Sequence, residues 1–181
     1  TLVLIAILFV LIAGILLFAL TASLDLAGYL VADAPFVPIP RYVVDAVVAL
    51  APKKDGVFYD LGSGEGRMVF AVANAYPAMR AIGIETAPLP TLITRLFRRK
   101  RPPNAGFIFK DFKSVSLADA SFVYMYLLTK ISHRLEPKLE AELSPGARVV
   151  SCDFKLKERK PDQIIPLSRG ENRHTLYVYD F

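Results

Sequence analysis

The sequence predicts an α/β protein: a mainly parallel sheet with helices on both faces, preceded by one apolar N-terminal helix. Three observations carry this expectation. From Val57 onward, strand-like and helix-like runs alternate. The apolar strand Val57–Leu61 runs straight into the turn Gly62-Ser63-Gly64-Glu65-Gly66, and a helix-forming run, Met68–Ala75, follows. Finally, Asp60, Glu85 and Asp111 each stand at or near the end of one of three successive strands.

The elements follow in order. Leu2–Leu20 is an unbroken apolar run with one glycine, Gly14. At about 1.5 Å per residue it spans roughly 28 Å, close to the thickness of a bilayer's hydrocarbon core. The expected organisation is therefore a membrane-spanning helix over residues 1–21, a linker over 22–40 and a globular domain over 41–181. A signal peptide is the competing reading, with Thr21-Ala22-Ser23 as a weak cleavage site, although signal cores usually run about 7–15 residues. The linker ends in Ala34-Pro35-Phe36-Val37-Pro38-Ile39-Pro40, whose prolines forbid a continuous helix. Arg41–Leu50 has apolar residues at helical spacing. Strands are expected at Val57–Leu61, Ala81–Glu85, Gly106–Lys110, Phe122–Leu127, Ala147–Phe154 and Thr175–Phe181. Further helices are expected at Glu65–Ala75, Pro90–Arg99 and Lys130–Leu143. Pro166–His174 has no helical pattern, so the last strand is expected to enter as an antiparallel edge hairpin.

Composition narrows the function. The 181 residues carry a net charge of +5, of which residues 1–50 hold −2 and the remainder +7. A basic body suits anionic surfaces such as lipid headgroups, nucleic acid or acidic protein. The single cysteine, Cys152, excludes an internal disulfide and a cysteine-rich zinc site, and its strand context reads as a packed thiol. Arg95-Leu96-Phe97-Arg98-Arg99-Lys100-Arg101 is the strongest charge run. It suits either a solvated helix end or contact with anionic headgroups.

The glycine turn differs from a dinucleotide fingerprint, which would place glycine at position 67, where this chain has Arg67. A carboxylate at Asp60 would gain a pyrophosphate nothing, but it suits a cationic amino-acid ligand. Glu85 stands where an acid can accept both ribose hydroxyls. Asp111 could accept from an adenine amino group, with Phe112 beside the ring. One such acid alone is usually just solvated. The set together points to an adenosyl-type ligand.

These residues resemble class I S-adenosylmethionine-dependent methyltransferases. Within them, five segments resemble one group: Phe36-Val37-Pro38-Ile39-Pro40, Tyr59–Arg67, Ala81-Ile82-Gly83-Ile84-Glu85, Met125-Tyr126-Leu127-Leu128-Thr129 and Leu135–Leu143. That group comprises small archaeal broad-specificity protein-lysine methyltransferases and their membrane-anchored relatives. It includes mitochondrial enzymes that methylate ATP synthase and the adenine nucleotide translocator. The resemblance implies a Rossmann-like, seven-stranded methyltransferase sheet with an antiparallel C-terminal edge strand, and S-adenosylmethionine as cofactor. It implies that Asp60, Gly62, Ser63, Gly64 and Gly66 surround the methionine moiety, that Glu85 holds the ribose, and that Asp111 and Phe112 hold adenine. Pro38 and its neighbours would fold over the cofactor, and Tyr126, Leu127 and Leu128 would line the methyl-transfer channel. The connection Phe112–Ala120 is short and shows little substrate-binding elaboration.

Methyl transfer from a sulfonium is an in-line displacement that calls for no metal and no covalent intermediate, so alignment supplies much of the acceleration. A lysine nucleophile must first lose its proton, from a reference pKa of about 10.4. Tyr126 is the candidate for orienting the amine and Asp153 for accepting the proton. His133 and His174 read as surface or packing residues. The expected partners are a protein with an accessible lysine at or near a membrane, and membrane lipid. Nucleic acid is not expected, because the Asn/Asp-Pro-Pro-aromatic element of base-amino methyltransferases is replaced by Tyr126-Leu127-Leu128-Thr129. The expected location is a single-pass membrane protein with its catalytic domain on the cytoplasmic side. The alternatives are a small-molecule or lipid methyltransferase and a non-catalytic cofactor-binding membrane protein.

Overall fold

The structure is a computed structural model that describes residues 2–31, 38–87 and 102–181. The Ala34–Val37 part of the proline-rich segment, the helix expected over Pro90–Arg99 and the basic run Arg95–Arg101 lie outside the described residues. The chain divides into two compact units, Thr1–Pro35 and Phe36–Phe181.

The first unit is one helix, α1 (Leu2–Val31). It continues beyond the expected apolar span, into residues assigned from sequence to the linker. Thr21–Val31 contains no proline and is rich in leucine and alanine, both good helix formers, so nothing local stops it. Residues 3–20 are exposed throughout. By length and composition Val3–Leu20 could cross a membrane, and a signal sequence would pass the same test.

The second unit is built on a seven-stranded sheet: β1 (Gly56–Leu61), β2 (Met79–Ile84), β3 (Ala105–Ile108), β4 (Phe122–Met125), β5 (Arg148–Cys152), β6 (Gln163–Arg169) and β7 (Asn172–Asp180). The strand order is β3-β2-β1-β4-β5-β7-β6. β1 to β5 pair in parallel, and β7 runs antiparallel to both β5 and β6. The hairpin was expected, but the last strand is internal and β6 takes the edge. The residues explain this arrangement. β7 buries Leu176, Val178 and Tyr179. β6 carries Pro166, which cannot donate to a ladder and so suits an edge.

α2 (Arg41–Ala49) and α3 (Arg67–Ala75) cover one face of the sheet. α2 buries Val43, Val44 and Val47, and α3 buries Met68, Val69, Val72 and Ala73, the 3–4 spacing of an apolar stripe. These residues join Phe58, Ala81, Phe122, Tyr124, Val150, Cys152, Leu176 and Val178 in one core. α4 (Thr129–Glu142) buries Ile131, Leu135 and Leu139 outside that cluster. Two polar side chains pin the connections. Asn104 Nδ2 donates to the carbonyls of Ala73, Tyr76 and Met79, at 3.0, 3.2 and 2.8 Å, tying the end of α3 to β2 and β3. The buried Glu136 carboxylate accepts from the backbone N–H groups of Lys157, Glu158 and Arg159 at 2.7, 3.1 and 2.6 Å.

Candidate active site

Strand order reverses between β1 and β4, and in open α/β sheets ligands bind beyond the carboxyl ends of the strands at such a switch point. The glycine turn begins there. Gly62 and Ser63 N–H both donate to Ile84 O, at 2.9 and 3.0 Å, folding the turn across the end of β2. Gly66 starts α3 with φ +84°, and a Cβ there would stand 2.5 Å from the Phe107 ring. Gly83 on β2 is required for another reason: a Cβ would meet Ser63 Oγ at 2.5 Å. Only a bare backbone lets the turn lie this close to the sheet. Arg67, in place of the fingerprint's third glycine, donates through Nη1 to Ile39 O at 2.7 Å and is paired with Glu65. This places exposed Pro38 and its neighbour Ile39 beside the turn.

Two carboxylates face this turn. Asp60 is 3 % exposed, and its carboxyl is pushed up to about 8, first by burial and then by the nearby charge of Glu85. Glu85 Oε2 accepts from Gly64 N at 2.8 Å, while Oε1 accepts from Thr86 and Ala87 N at 2.8 and 2.7 Å. One acceptor position of roughly four on a carboxylate is left over for a hydroxyl. Ser63 Oγ and Tyr124 OH are buried and have no hydrogen-bond partner among the described residues. A buried acid raised by its surroundings, together with buried hydroxyls that have no partner among the described residues, fits a small cationic ligand such as S-adenosylmethionine.

The remaining sequence-derived positions take up the same end of the sheet. Asp111 is exposed and caps a short 3-10 turn, Phe112–Ser114, by accepting from Lys113 N at 2.9 Å. Phe112 is half-buried. Leu127 is buried just past β4, and a Cβ on Gly62 would stand 3.2 Å from its Cδ2. Leu127 O accepts from Ser132 Oγ at 3.0 Å, which fixes the entry to α4.

A second cluster lies at the ends of β4 and β5 and the start of β7. Tyr126 stacks on Phe154 with ring centroids 6.0 Å apart. Its hydroxyl is pushed up to about 12 by burial first and by Asp153 next, so it keeps its proton and acts as a donor. Asp153 follows β5 in the left-handed region, φ 62°, which a non-glycine residue occupies at a cost. Its carboxylate is held from β7: Thr175 N donates to Oδ1 at 2.8 Å, and Oδ2 lies 2.7 Å from His174 Nδ1. His174 was expected to be a packing or surface residue. Instead it is hydrogen-bonded to Asp153, edge-on to Tyr126 at 6.2 Å and tilted against Tyr42 at 6.1 Å. Cys152 beneath them is fully buried, and burial with Asp153 pushes its thiol well up, so it stays neutral. Tyr42, Tyr124, Phe154 and His174 were all missed as candidates. His174 becomes visible only through the antiparallel β5–β7 register and Tyr42 through the placement of α2, while Tyr124 and Phe154 emerge from contacts across β1, β4 and the end of β5; none of these leaves a local motif.

Comparison with known proteins places this architecture. The ANTKMT methyltransferase domain matches residues 60–163. A protein-lysine N-methyltransferase from Saccharolobus islandicus is 33% identical over 152 residues, covering 82% of this chain and 94% of its own length. The adenine nucleotide translocase lysine N-methyltransferase of Mus musculus is 34% identical over 150 residues, covering 82% of this chain but only 63% of its own length. Among solved structures, an RNA methyltransferase from Salinibacter ruber in complex with S-adenosyl-L-homocysteine has a TM-score of 0.71 and 33% identity, covering 80% of this chain and 93% of that one. A precorrin-6y C5,15-methyltransferase from Geobacter metallireducens, at 12% identity and a TM-score of 0.63 over 81% of this chain and 91% of its own, shares the fold alone. The chain belongs to the ANTKMT methyltransferase-domain family and is an S-adenosylmethionine-dependent methyltransferase.

Proposed function

We propose that this chain is a membrane-anchored protein-lysine N-methyltransferase. The observation that carries the reading is its 33% identity with the archaeal protein-lysine enzyme over 94% of that enzyme's length. The rim formed by Tyr126 and Asp153, beside the glycine turn, supports it, because an amine acceptor needs a hydrogen-bonding group and a carboxylate at the point of transfer. S-adenosylmethionine supplies a methyl group already activated on a sulfonium sulfur. The chain's residues bind and align. Asp60 offers a carboxylate to positive charge, the amides of the Gly62–Gly66 turn and Ser63 Oγ offer donors, and Glu85, Asp111 and Phe112 are assigned to ribose and adenine. Pro38 covers, and Leu127 and Tyr126 wall the path to the acceptor. Holding amine and methyl in line is the main service of such a site.

Residues 1–21 are assigned as the membrane segment, with 22–40 leading to a catalytic domain over 41–181. The exposed apolar side chains of residues 3–20 support a lipid partner. The +7 charge of residues 51–181, including Arg95–Arg101, supports a body lying on the cytoplasmic side against anionic headgroups. The Salinibacter ruber neighbour, an RNA methyltransferase by name, favours a second reading with RNA as acceptor. One experiment separates them. The full chain in detergent micelles is incubated with methyl-labelled cofactor and, in parallel, a membrane protein fraction and total RNA. Label on lysine side chains is expected; label on RNA alone overturns the lysine reading.

A further inference from the structure

We propose that His174 and Asp153 form an imidazole–carboxylate pair that takes the proton from the incoming lysine, with His174 Nε2 as the acceptor and Asp153 as the residue that positions it. The proposal rests on the lysine reading above. Its basis is the order of groups along one rim. Asp60 pairs with Tyr124 across β1 and β4, and Cys152 pairs with Leu176 across β5 and β7. Tyr126, Asp153 and His174 therefore follow one another along the strand ends, starting beside the glycine turn. An ionised carboxylate can only accept, so the 2.7 Å contact requires His174 Nδ1 to carry the hydrogen, leaving Nε2 with its lone pair free.

Asp153 is built for this orientation. Its backbone adopts φ 62°, and Thr175 N holds its other oxygen, so the carboxylate cannot swing away. The groups facing the imidazole among the described residues are Tyr42 from α2, Tyr126 after β4, Cys152 and Asp153 from β5, and Leu167, its pairing partner on β6. Burial keeps the Tyr126 hydroxyl and the Cys152 thiol protonated, and Asp153 is the single carboxylate among these groups. The step balances. A lysine Nζ–H bond breaks and leaves its electron pair on Nζ, which becomes the neutral amine nucleophile. The proton forms an N–H bond at His174 Nε2, and the imidazolium is stabilised by Asp153 and later returns the proton to water.

The test uses the full chain in detergent micelles, with label per lysine in a membrane protein fraction as the readout, from about pH 6 to about pH 10. His174→Gln is expected to lose about 100-fold at pH 7, within the usual range for general-base catalysis. The deficit should close as the pH nears about 10.4, where lysine loses its proton unaided. Asp153→Asn should behave alike. Asparagine tolerates the left-handed backbone and still accepts from Thr175 N, but it presents an amide donor to Nδ1, which forces the hydrogen onto Nε2. Cofactor affinity by calorimetry should be unchanged in both, and if His174→Gln does not fold, Asp153→Asn decides alone. A deficit equal at every pH, or none, overturns the pair while leaving the lysine reading intact. A wild-type chain that labels no lysine overturns that reading, and the pair with it.

Discussion

Asp60 holds a proton that the cofactor has reason to expel. Its carboxyl is raised to about 8 by burial and by Glu85. An acid whose folded pKa lies above its unfolded value, about 3.9, costs stability increasingly as pH rises between the two. A bound cation favours the carboxylate and lowers the pKa again. Cofactor binding near pH 7 should therefore release a proton, with affinity climbing as pH rises and levelling off above about 8. Calorimetry in two buffers of different ionisation enthalpy measures this directly. Asp60→Asn should abolish both the proton release and the climb, and wild-type binding with no proton release would show that Asp60 does not face the cofactor's charge. Asp60 itself was readable from sequence because it directly precedes a glycine turn. Its neighbour Tyr124 was not, because a strand tyrosine looks the same whether its hydroxyl is satisfied or orphaned.

At the scale of elements, connections rather than strands carry the polar interior. Glu136 satisfies three backbone donors of the segment 157–159 from a buried position on α4. Removing it leaves those donors without their partner, and hydrogen bonds to a charged group contribute about 1.5–3 kcal/mol each. Glu136→Ala should destabilise the fold by about 3 kcal/mol, read as a lowered thermal midpoint, with faster amide exchange confined first to residues 156–160. A midpoint unchanged from wild type would show that water replaces the carboxylate fully. Strands β1, β2, β4 and β5 were legible because parallel strands with buried faces read as apolar runs, and the half-buried edge strand β3 by its place in the alternation, with only the ends shifted by a few residues. β6 was read as part of an edge hairpin but not as a strand in its own right. Gln163–Arg169 is mostly exposed and contains Pro166, so it has neither an apolar run nor clean alternation. The Asp153–His174 contact was hidden too, because it joins residues 21 apart through the antiparallel β5–β7 register, in which Cys152 pairs with Leu176.

For the whole molecule, the proposal separates tethering from chemistry. Deleting residues 1–31 should move the chain from the membrane pellet to the supernatant while leaving cofactor affinity unchanged. Labelling of membrane proteins should fall by about 100-fold, because a shared membrane raises the effective concentration of enzyme and acceptor. A truncated chain that still pellets with membranes would remove the anchoring role from α1. The apolar segment and the catalytic unit were both evident from hydropathy and motif. The end of α1 at Val31 was not, since helix-compatible residues continue past the apolar stretch until the prolines.

The internal position of β7, between β5 and β6, sets an order for biosynthesis. β5 has its second neighbour only once Asn172–Asp180 has left the ribosome, because the strand that completes it is translated after β1 to β6. Until then a nascent chain exposes an apolar β5 edge, Val149-Val150, of the kind that invites pairing with other chains. A message truncated before β7 would yield a protein carrying the entire glycine turn and none of the His174 side of the rim.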